Sequence, residues 1–266
     1  MRCSLVGVGK MGEAILKGLL PSVKEGKISI SGYEIFSKRR REIESKYALS
    51  LASTLEEALE EAQVIIVAVK PQQMEELLRE MGDRTSGRLL ISVAAGITSS
   101  FIQTRVASGT RIVRVMPNTP ALIGEGVLAY TLGSNTTQED RGTVETLLSP
   151  LGTVVEVPER LMDAVTALSG SGPAYVFLFL QSLIDAGVRV GIPRDLASTL
   201  ALKTMTGSLK LLEELHEHPA KMIEMVTSPG GTTIAALAVL EKAGFRGMIM
   251  EAVAAAEARS RELGQG

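Results

Sequence analysis

The segment Ser-Pro-Gly-Gly-Thr-Thr, residues 228–233, combines a turn, exposed amides and hydroxyl groups immediately before an apolar run at 234–240. Its proline fixes a backbone angle, and its two glycines let the backbone approach a bound group closely. The first amides of the helix that follows have no acceptor within the helix, and the two threonines add side-chain donors at the same end. These features predict a cradle for a carboxylate or phosphate. The alternative is a capped helix start that serves stability alone.

A second candidate site lies near the N-terminus, where Gly7, Gly9 and Gly12 have the Gly-x-Gly-x-x-Gly spacing between a short apolar strand and a helical pattern. The first glycine permits a tight turn, the second lets a pyrophosphate approach the backbone, and the third allows the helix to pack closely on the strand. The spacing alone is weak support, but its place at a strand-to-helix junction predicts a dinucleotide site. The expected cofactor contacts come from the whole loop: Gly7, Val8, Gly9, Lys10, Met11 and Gly12.

The end of the second strand decides which dinucleotide is preferred, because an acid there binds the ribose 2′-hydroxyl of NADH, whereas a 2′-phosphate needs hydroxyls and cations. We align Ser37 with that position, and the four cations of 38–41 follow it. This alignment predicts NADPH as the preferred cofactor, with NADH as the second candidate, and places Lys38 and Arg39 beside the phosphate. Glu34 becomes the acid if the strand register shifts, and a basic run is also typical of a solvated helix face.

Composition limits the class of protein. The 266 residues are 45% apolar, enough for a full hydrophobic core in one or two domains. Only 3% are aromatic, tryptophan is absent and the formal net charge is -2, so no nucleic-acid partner is expected. No signal peptide is evident, and the longest apolar runs, at 174–180 and 234–240, are too short to cross a bilayer. The single cysteine, Cys3, excludes an intrachain disulfide and favours a cytoplasmic location.

Metal chemistry is not expected. His216 and His218 are the only histidines, and their i, i+2 spacing directs them to different sides of a helix. A catalytic triad has no other imidazole to use, and no nucleophile-elbow motif is present. The chemistry is therefore expected to come from a bound cofactor.

The order of strand and helix patterns predicts two domains that position these sites. Residues 1–157 alternate between the two patterns, with continuous apolar runs such as 64–69 and 89–93 that are typical of strands covered on both faces. This half is predicted to be an α/β domain with a doubly wound, Rossmann-type parallel sheet that binds NAD(P). Residues 158–266 lose the strand patterns and are predicted to form an all-α domain for dimerisation and substrate binding.

Several predicted helices of the second half are apolar on more than one face. The runs 176–180, 248–250 and 252–256 leave few polar positions to meet water. A helical domain of this size cannot hide so much apolar surface by itself, so we expect an obligate homo-oligomer built from this half. The alternative is one long central helix buried within a monomer.

Six segments taken together resemble one family, pyrroline-5-carboxylate reductase. They occur in order across nearly the whole chain, and the last three are far more specific than a dinucleotide fingerprint. The segments are Gly7 to Gly12, Ala68-Val-Lys-Pro-Gln72, Ser92-Val-Ala-Ala-Gly-Ile97, Arg114-Val-Met-Pro-Asn-Thr-Pro-Ala121, Ala167-Leu-Ser-Gly-Ser-Gly-Pro-Ala174 and Thr227-Ser-Pro-Gly-Gly-Thr-Thr233. The resemblance implies an enzyme that uses NAD(P)H to reduce a cyclic imine, 1-pyrroline-5-carboxylate, to L-proline. It also implies a homodimer held by interlocking C-terminal helices, often assembled into a larger ring.

The resemblance also implies roles for individual residues at the substrate. The substrate carboxylate would be held by Ser228, Gly230, Gly231, Thr232 and Thr233. Thr233 is the catalytic candidate, as a donor that orients the ring nitrogen and relays a proton from water. Thr232 departs from the family pattern, since many members have alanine there. Glu217 matches a family acid near the substrate amine, and an exposed glutamate at a helix end is the alternative.

On the cofactor side, the implied contacts lie at the ends of three further strands. They are Val69, Lys70, Pro71, Ala94, Ala95, Gly96 and Asn118. Lys70 would place a cation near phosphate or substrate, although a lysine at a strand end is commonly just solvated.

Two other functions stay open. One is a related NADP-dependent reductase that acts on another cyclic imine or on a deazaflavin, and the cradle at 228–233 argues against the deazaflavin version. The other is a non-catalytic protein that senses dinucleotides, which would keep the glycine loop but would not need Thr233.

Overall fold

The structure is a computed structural model that describes residues 1–264. Its first half forms a seven-stranded sheet with the strand order β2-β1-β3-β4-β5-β6-β7. The strands are β1 (Arg2–Val6), β2 (Ser29–Tyr33), β3 (Val64–Val67), β4 (Leu89–Ser92), β5 (Arg111–Met116), β6 (Gly126–Leu132) and β7 (Gly152–Glu156). The sequence between β1 and β7 therefore folds as the predicted α/β domain.

Helices connect these strands and continue alone after the sheet. Those of the first half are α1 (Lys10–Lys24), α2 (Ser37–Tyr47), α3 (Leu55–Leu59), α4 (Met74–Met81), α5 (Ser99–Gln103), α6 (Gln138–Leu148) and α7 (Met162–Val165). Those of the second half are α8 (Gly172–Arg189), α9 (Arg194–Leu215), α10 (Pro219–Met225), α11 (Thr232–Lys242) and α12 (Phe245–Gly264). Short 3₁₀ turns at Pro71–Gln73, Gly82–Thr85, Thr119–Ile123, Ser149–Leu151 and Glu159–Leu161, and a π-helical turn at Thr166–Gly170, join some of them.

The central strands are covered on both faces, which explains their uninterrupted apolar sequences. Successive side chains of a strand point to opposite faces. Val64 and Ile66 of β3 belong to a core that includes Ile15 of α1, whereas Ile65 belongs to a second core that includes Met74 of α4. All four residues of β3 are buried, so a charged substitution on either side would fall into a core.

The sheet departs from the predicted all-parallel arrangement in its last two strands, β6 and β7, which run opposite to the other five. β6 pairs antiparallel with β5, while β7 returns to a parallel pairing with β6. The physical reason is the connection between β5 and β6, which holds only a 3₁₀ turn at Thr119–Ile123. A parallel crossover needs a dozen or more residues, usually with a helix, whereas a short connection joins antiparallel neighbours.

The chain folds into two compact units, and their boundary differs from the predicted one at 157. One unit comprises 1–171 with the described residues from 256 onward, and the other comprises 172–255. Residues 158–171 belong to the unit that contains the sheet, and their side chains bond to other segments of that unit. Glu159 accepts a hydrogen bond from the Ser99 N–H at 2.8 Å, and Asp163 accepts one from the Ser260 hydroxyl at 2.7 Å.

The helical unit leaves large apolar side chains in contact with solvent. Among residues 172–255 only Ala197 is buried, while Phe177 and Leu178 are more than half exposed. By length and composition alone, the continuous helical stretch Glu159–Arg189 is long and apolar enough to cross a bilayer, which is weak support for a membrane span. The search for uninterrupted apolar runs in the sequence did not find this stretch. A helix can continue through single polar residues, whereas each polar residue ends an apolar run.

Candidate dinucleotide site and anion cradle

The glycine loop has the geometry that the sequence predicts for a dinucleotide fingerprint. β1 ends at Val6, Gly7 has a φ of +87°, and α1 begins at Lys10. A Cβ added at Gly12 would lie 2.1 Å from the Gly7 carbonyl oxygen, so the helix packs on the turn with no room for a side chain. Gly9 caps the helix without a side-chain hydrogen bond, and nothing lies within 4 Å of the place of its Cβ. The first amides of α1 therefore remain free for an anion.

The loop opens at the topological switch point of the sheet. β2 lies on one side of β1 and β3 lies on the other, so the chain moves outward from β1 to β2 and then crosses back past β1 to β3. Ligands of open α/β sheets bind in the crevice at the carboxyl ends of such strands. A cavity of about 600 Å³ occupies this place, and its walls include Gly7, Gly9 and Lys10 of the loop together with Val69 and Lys70 after β3.

Glu34 is the residue that follows β2, and it corrects the register assumed from the sequence. The sequence aligns Ser37 with the end of the strand, but Ser37 is the first residue of α2. Glu34 is 5% exposed and lines the cavity. One carboxylate oxygen accepts a hydrogen bond from the Val8 N–H at 2.8 Å, and the other accepts one from the Phe36 N–H at 3.0 Å. The acid position therefore holds a glutamate that is fixed to the glycine loop.

The cations after Ser37 differ in their relation to the cavity. Lys38 and Ser37 are exposed and do not line the cavity, whereas Arg39 does. The Arg39 guanidinium donates to the Val8 carbonyl at 2.8 Å, pairs with Glu42 at 2.7 Å and pairs with Glu13. Its charge is thus already matched by two carboxylates.

Glu13 of α1 is the centre of a small charged network that joins α1 to α2. Its carboxylate is 14% exposed and accepts hydrogen bonds from Lys46 Nζ at 2.7 Å, Tyr47 Oη at 2.8 Å and Arg39. Burial by itself would raise the pKa of Glu13, but the hydrogen bonds from these three residues lower it to about 2. The network fixes the first turn of α2 over the loop.

The remaining predicted cofactor residues lie at strand ends, with different relations to the cavity. Val69 and Lys70 line it, and Pro71 begins the 3₁₀ turn that follows. Ala94 is buried and Ala95 exposed directly after β4, and Gly96 has a φ of +75°. These last residues, with Pro71, Val8 and Met11, do not form the cavity wall.

Asn118 has a clear structural role after β5. Its Oδ1 accepts a hydrogen bond from the Val127 N–H at 2.9 Å, and its Nδ2 donates to the Ser169 carbonyl at 3.3 Å. The side chain therefore connects the turn after β5 to β6 and to the π-helical turn. It does not line the cavity, and its contact with the cofactor stays a prediction.

Sequence reasoning missed several cavity residues. Ile35, Phe36, Gln73, Glu76, Leu77 and Glu80 all contribute to the wall. Ile35 and Phe36 are about two-thirds exposed, which is unusual for large apolar side chains next to a buried strand. The sequence signal for them was their position two and three residues after Tyr33, the end of β2. It was missed because the sequence analysis placed the end of β2 near Ser37.

The cradle at 228–233 lies in the helical unit and has the backbone geometry of an open helix start. Gly230 has a φ of +68°, which favours glycine, and the Gly231 N–H donates to the Ser228 carbonyl at 3.1 Å. α11 begins at Thr232, and Gly231 caps it without a side-chain hydrogen bond. A Cβ at Gly231 would lie 2.4 Å from Ser228 Oγ, so this turn is compact. The predicted cradle residues are therefore brought together around free amides.

Glu217 and the histidines do not join a ligand cluster here. Glu217 pairs with Lys221 at 3.1 Å, one helical turn away, and both side chains are substantially exposed. His218 Nδ1 accepts the Ala220 N–H at 3.2 Å and caps α10. Within residues 1–264 no group of three or more His, Cys, Asp or Glu side chains is arranged to hold a metal ion.

The mostly parallel sheet, the glycine loop at its switch point and the acid after β2 define a Rossmann-type, dinucleotide-binding protein. Comparison with known proteins narrows this class. Residues 159–263 match the family model described as pyrroline-5-carboxylate reductase dimerisation, and residues 2–96 match one described as NADP oxidoreductase, coenzyme F420-dependent. The chain is 42% identical to pyrroline-5-carboxylate reductase from Synechocystis sp., over 100% of this chain and 99% of that one. The chain belongs to the pyrroline-5-carboxylate reductase family, which confirms the resemblance.

Solved structures agree with this family. A Plasmodium falciparum pyrroline carboxylate reductase with NADP bound is 34% identical, with a TM-score of 0.88 over 99% of this chain and 98% of that chain. A 1-pyrroline-5-carboxylate reductase from Streptococcus pyogenes is 31% identical, with a TM-score of 0.89 over 98% of both chains. The predicted fold class, a Rossmann-type domain followed by a helical dimerisation domain, is confirmed.

Proposed function

We propose that the protein is an oxidoreductase that uses a reduced nicotinamide dinucleotide to convert 1-pyrroline-5-carboxylate into L-proline, the last step of proline biosynthesis. The observation that carries the proposal is the full-length match to proteins named for this reaction, at 42% identity. The two local geometries support it, because the glycine loop suits a pyrophosphate and the start of α11 suits a carboxylate.

The cradle would hold the substrate by its carboxylate. The free amides at the start of α11 and the hydroxyls of Ser228, Thr232 and Thr233 all donate hydrogen bonds, and bonds to a charged group contribute roughly 1.5–3 kcal/mol each. Gly230 and Gly231 keep this surface free of side chains, so the carboxylate can approach the backbone. A carboxylate held in this way fixes the orientation of the imine ring.

The reaction adds a hydride to the imine carbon and a proton to its nitrogen. The nicotinamide supplies the hydride when it is bound. The dinucleotide would be held by the loop 7–12, by Val69, Lys70 and Pro71, and by the segments that carry Ala94 to Gly96 and Asn118. Thr233 would donate a hydrogen bond to the ring nitrogen and pass it a proton from water, because a threonine hydroxyl is too weak an acid to supply the proton itself. Glu217 would lie near the substrate amine.

Either reduced dinucleotide is a candidate for this pocket. The matching family model is described as an NADP oxidoreductase, and the Plasmodium falciparum structure has NADP bound. The preference for NADPH that the sequence predicted depended on Ser37, Lys38 and Arg39. Of these, only Arg39 lines the cavity, and its guanidinium is already paired.

The assembly would be a homodimer held by the C-terminal helices, with dimers able to join into a larger ring. The dimerisation family model covers 159–263, and the exposed apolar residues of 172–255 need such a cover. This assembly also accounts for the apolar stretch Glu159–Arg189 without a membrane. The reduced Cys3 is consistent with a cytoplasmic location.

The test is the loss of reduced-nicotinamide absorbance when purified protein meets 1-pyrroline-5-carboxylate, run in parallel with NADH and NADPH. Turnover with either cofactor, and formation of L-proline, would support the proposal. Cofactor binding without turnover would reject it in favour of another cyclic imine as substrate or of a dinucleotide sensor.

A further inference from the structure

We propose that Glu34 makes the dinucleotide pocket selective for a cofactor with a free ribose 2′-hydroxyl, so that this chain prefers NADH to NADPH. The inference depends on the proposed use of a nicotinamide dinucleotide at the glycine loop. It reverses the preference that the cations after Ser37 had predicted.

The first argument is the position of the carboxylate. In this fold, the acid that follows the second strand, about 20 residues after the glycines, accepts hydrogen bonds from the adenosine ribose. Glu34 stands directly after β2, which ends at Tyr33, and 22 residues after Gly12. No other acid follows β2 before α2 begins at Ser37.

The second argument is how the carboxylate is held. The N–H groups of Val8 and Phe36 each donate to one of its oxygens, at 2.8 and 3.0 Å. These bonds fix the side chain against the glycine loop, and each oxygen keeps a further lone pair for a ribose hydroxyl. Because Glu34 is 5% exposed, little water is available to screen its charge. A 2′-phosphate brought to the same place would face this fixed negative charge.

The third argument is the charge balance of the cavity wall. Four acids line it, Glu13, Glu34, Glu76 and Glu80, against three cations, Lys10, Arg39 and Lys70. Arg39 is the cation that comes from α2, next to the acid position, and it is committed to Glu13, Glu42 and the Val8 carbonyl. Arg40 is held as well, since its guanidinium donates to the Glu34 carbonyl at 3.0 and 3.2 Å. Arg39 and Arg40 could therefore bind a 2′-phosphate only by giving up these partners.

The experiment measures binding rather than turnover. NADH and NADPH are titrated separately into the full-length protein by calorimetry, with no imine present, for the wild type and for Glu34→Gln. We expect the wild type to bind NADH about tenfold or more tightly than NADPH. Glu34→Gln removes the charge at nearly constant shape, and we expect it to weaken NADH, strengthen NADPH and shrink the affinity ratio at least about tenfold.

The matched control is Glu61→Gln. It removes the same charge from an exposed residue before β3, away from the cavity, and should leave the ratio unchanged. A second control measurement uses only the wild type: AMP, which differs from adenosine 2′,5′-bisphosphate only by the missing 2′-phosphate, should compete with NADH more strongly than that compound does. This competition also decides the question if Glu34→Gln does not fold.

Three results would overturn the inference: tighter binding of NADPH by the wild type, an unchanged ratio in folded Glu34→Gln, or stronger competition by the 2′-phosphate compound. Failure of the proposed function would look different. Selective binding of NADH without reduction of 1-pyrroline-5-carboxylate would reject the reaction and leave the role of Glu34 standing.

Discussion

Gly12 packs directly against Gly7: a Cβ at position 12 would lie 2.1 Å from the Gly7 carbonyl oxygen and 3.0 Å from its carbonyl carbon. The atoms in contact belong to the backbone, so a methyl group at position 12 could not be accommodated by the rotation of a side chain. It brings the start of α1 onto the end of β1 and thereby fixes where the amides of the loop point. Gly9, three residues earlier, has no neighbour within 4 Å of its Cβ position. Gly12 is therefore needed for packing, whereas Gly9 leaves space for a ligand.

We predict opposite effects for the two alanine substitutions in this loop. Gly12→Ala should destabilise the protein by about 3 kcal/mol or more, because it overpacks a backbone contact. Gly9 has backbone angles that alanine can also adopt, φ -67° and ψ -161°, so Gly9→Ala should change stability by less than about 1 kcal/mol. It should nevertheless weaken NADH binding at least about tenfold, since its methyl group occupies the path of the pyrophosphate. Thermal melts and calorimetric titrations measure the two effects, and normal NADH affinity in Gly9→Ala would contradict this account of the loop.

The cradle predicts a difference between its two neighbouring threonines. Thr233→Ala should lower kcat about 10²-fold with unchanged cofactor affinity, because it removes the donor proposed for the ring nitrogen. Thr232→Ala is the control, and it should lower kcat/KM less than about tenfold, since the amides of α11 still bind the carboxylate. Steady-state kinetics with 1-pyrroline-5-carboxylate and titration with NADH separate these effects. Equal losses in both variants would show that Thr233 has no special role.

Glu13 predicts a pH dependence of stability. Its pKa in the folded protein is about 2, below its usual value of 4.5, so the folded state favours the ionised form. The contribution is fully present above about pH 4.5 and disappears as the pH falls towards 2. With partial screening by solvent around Lys46, it amounts to on the order of 2 kcal/mol.

Glu13→Gln should therefore lower the melting temperature by several degrees at pH 7, and the difference from the wild type should shrink between pH 4.5 and 3. Glu61→Gln, whose side chain is 74% exposed, serves as the control with the same change of charge and should melt like the wild type. A difference that stays constant with pH would mean that Glu13 stabilises through packing instead of through charge.

Cys3 should be unreactive in the native protein. It is 3% exposed in β1, and burial raises the pKa of its thiol to about 11, against a small opposing effect of the N-terminal charge. Only about one thiol in a thousand is then ionised at pH 8, and the thiolate is the reactive form. Reaction with a chromogenic disulfide at pH 8 should be at least about 100-fold slower than in denaturant. Rapid modification of the folded protein would show that β1 opens.

The amino-acid sequence determined those features that depend on local pattern. Continuous apolar runs predicted β3 and β4, because strands covered on both faces need apolar side chains at every position. A proline, Pro193, stands directly before α9 (Arg194–Leu215), so the sequence itself marks where this helix begins. The loop at Gly7 and the turn at Gly230 needed glycine, so their positions could be read directly.

The tertiary structure decided what depends on register and on pairing across the chain. β2 is only partly buried, so its pattern of side chains left its end uncertain by several residues, and with it the choice between Glu34 and Ser37. The antiparallel pairing of β6 follows from the short connection between β5 and β6. The pattern of apolar residues in the sequence does not show the direction in which such a connection returns. Residues 158–171 look helical in sequence yet pack with the sheet, because Glu159 and Asp163 find partners on distant segments. A side chain's charge can be read from the sequence, but its partner, and therefore its effect on a ligand, exists only after the strands have paired.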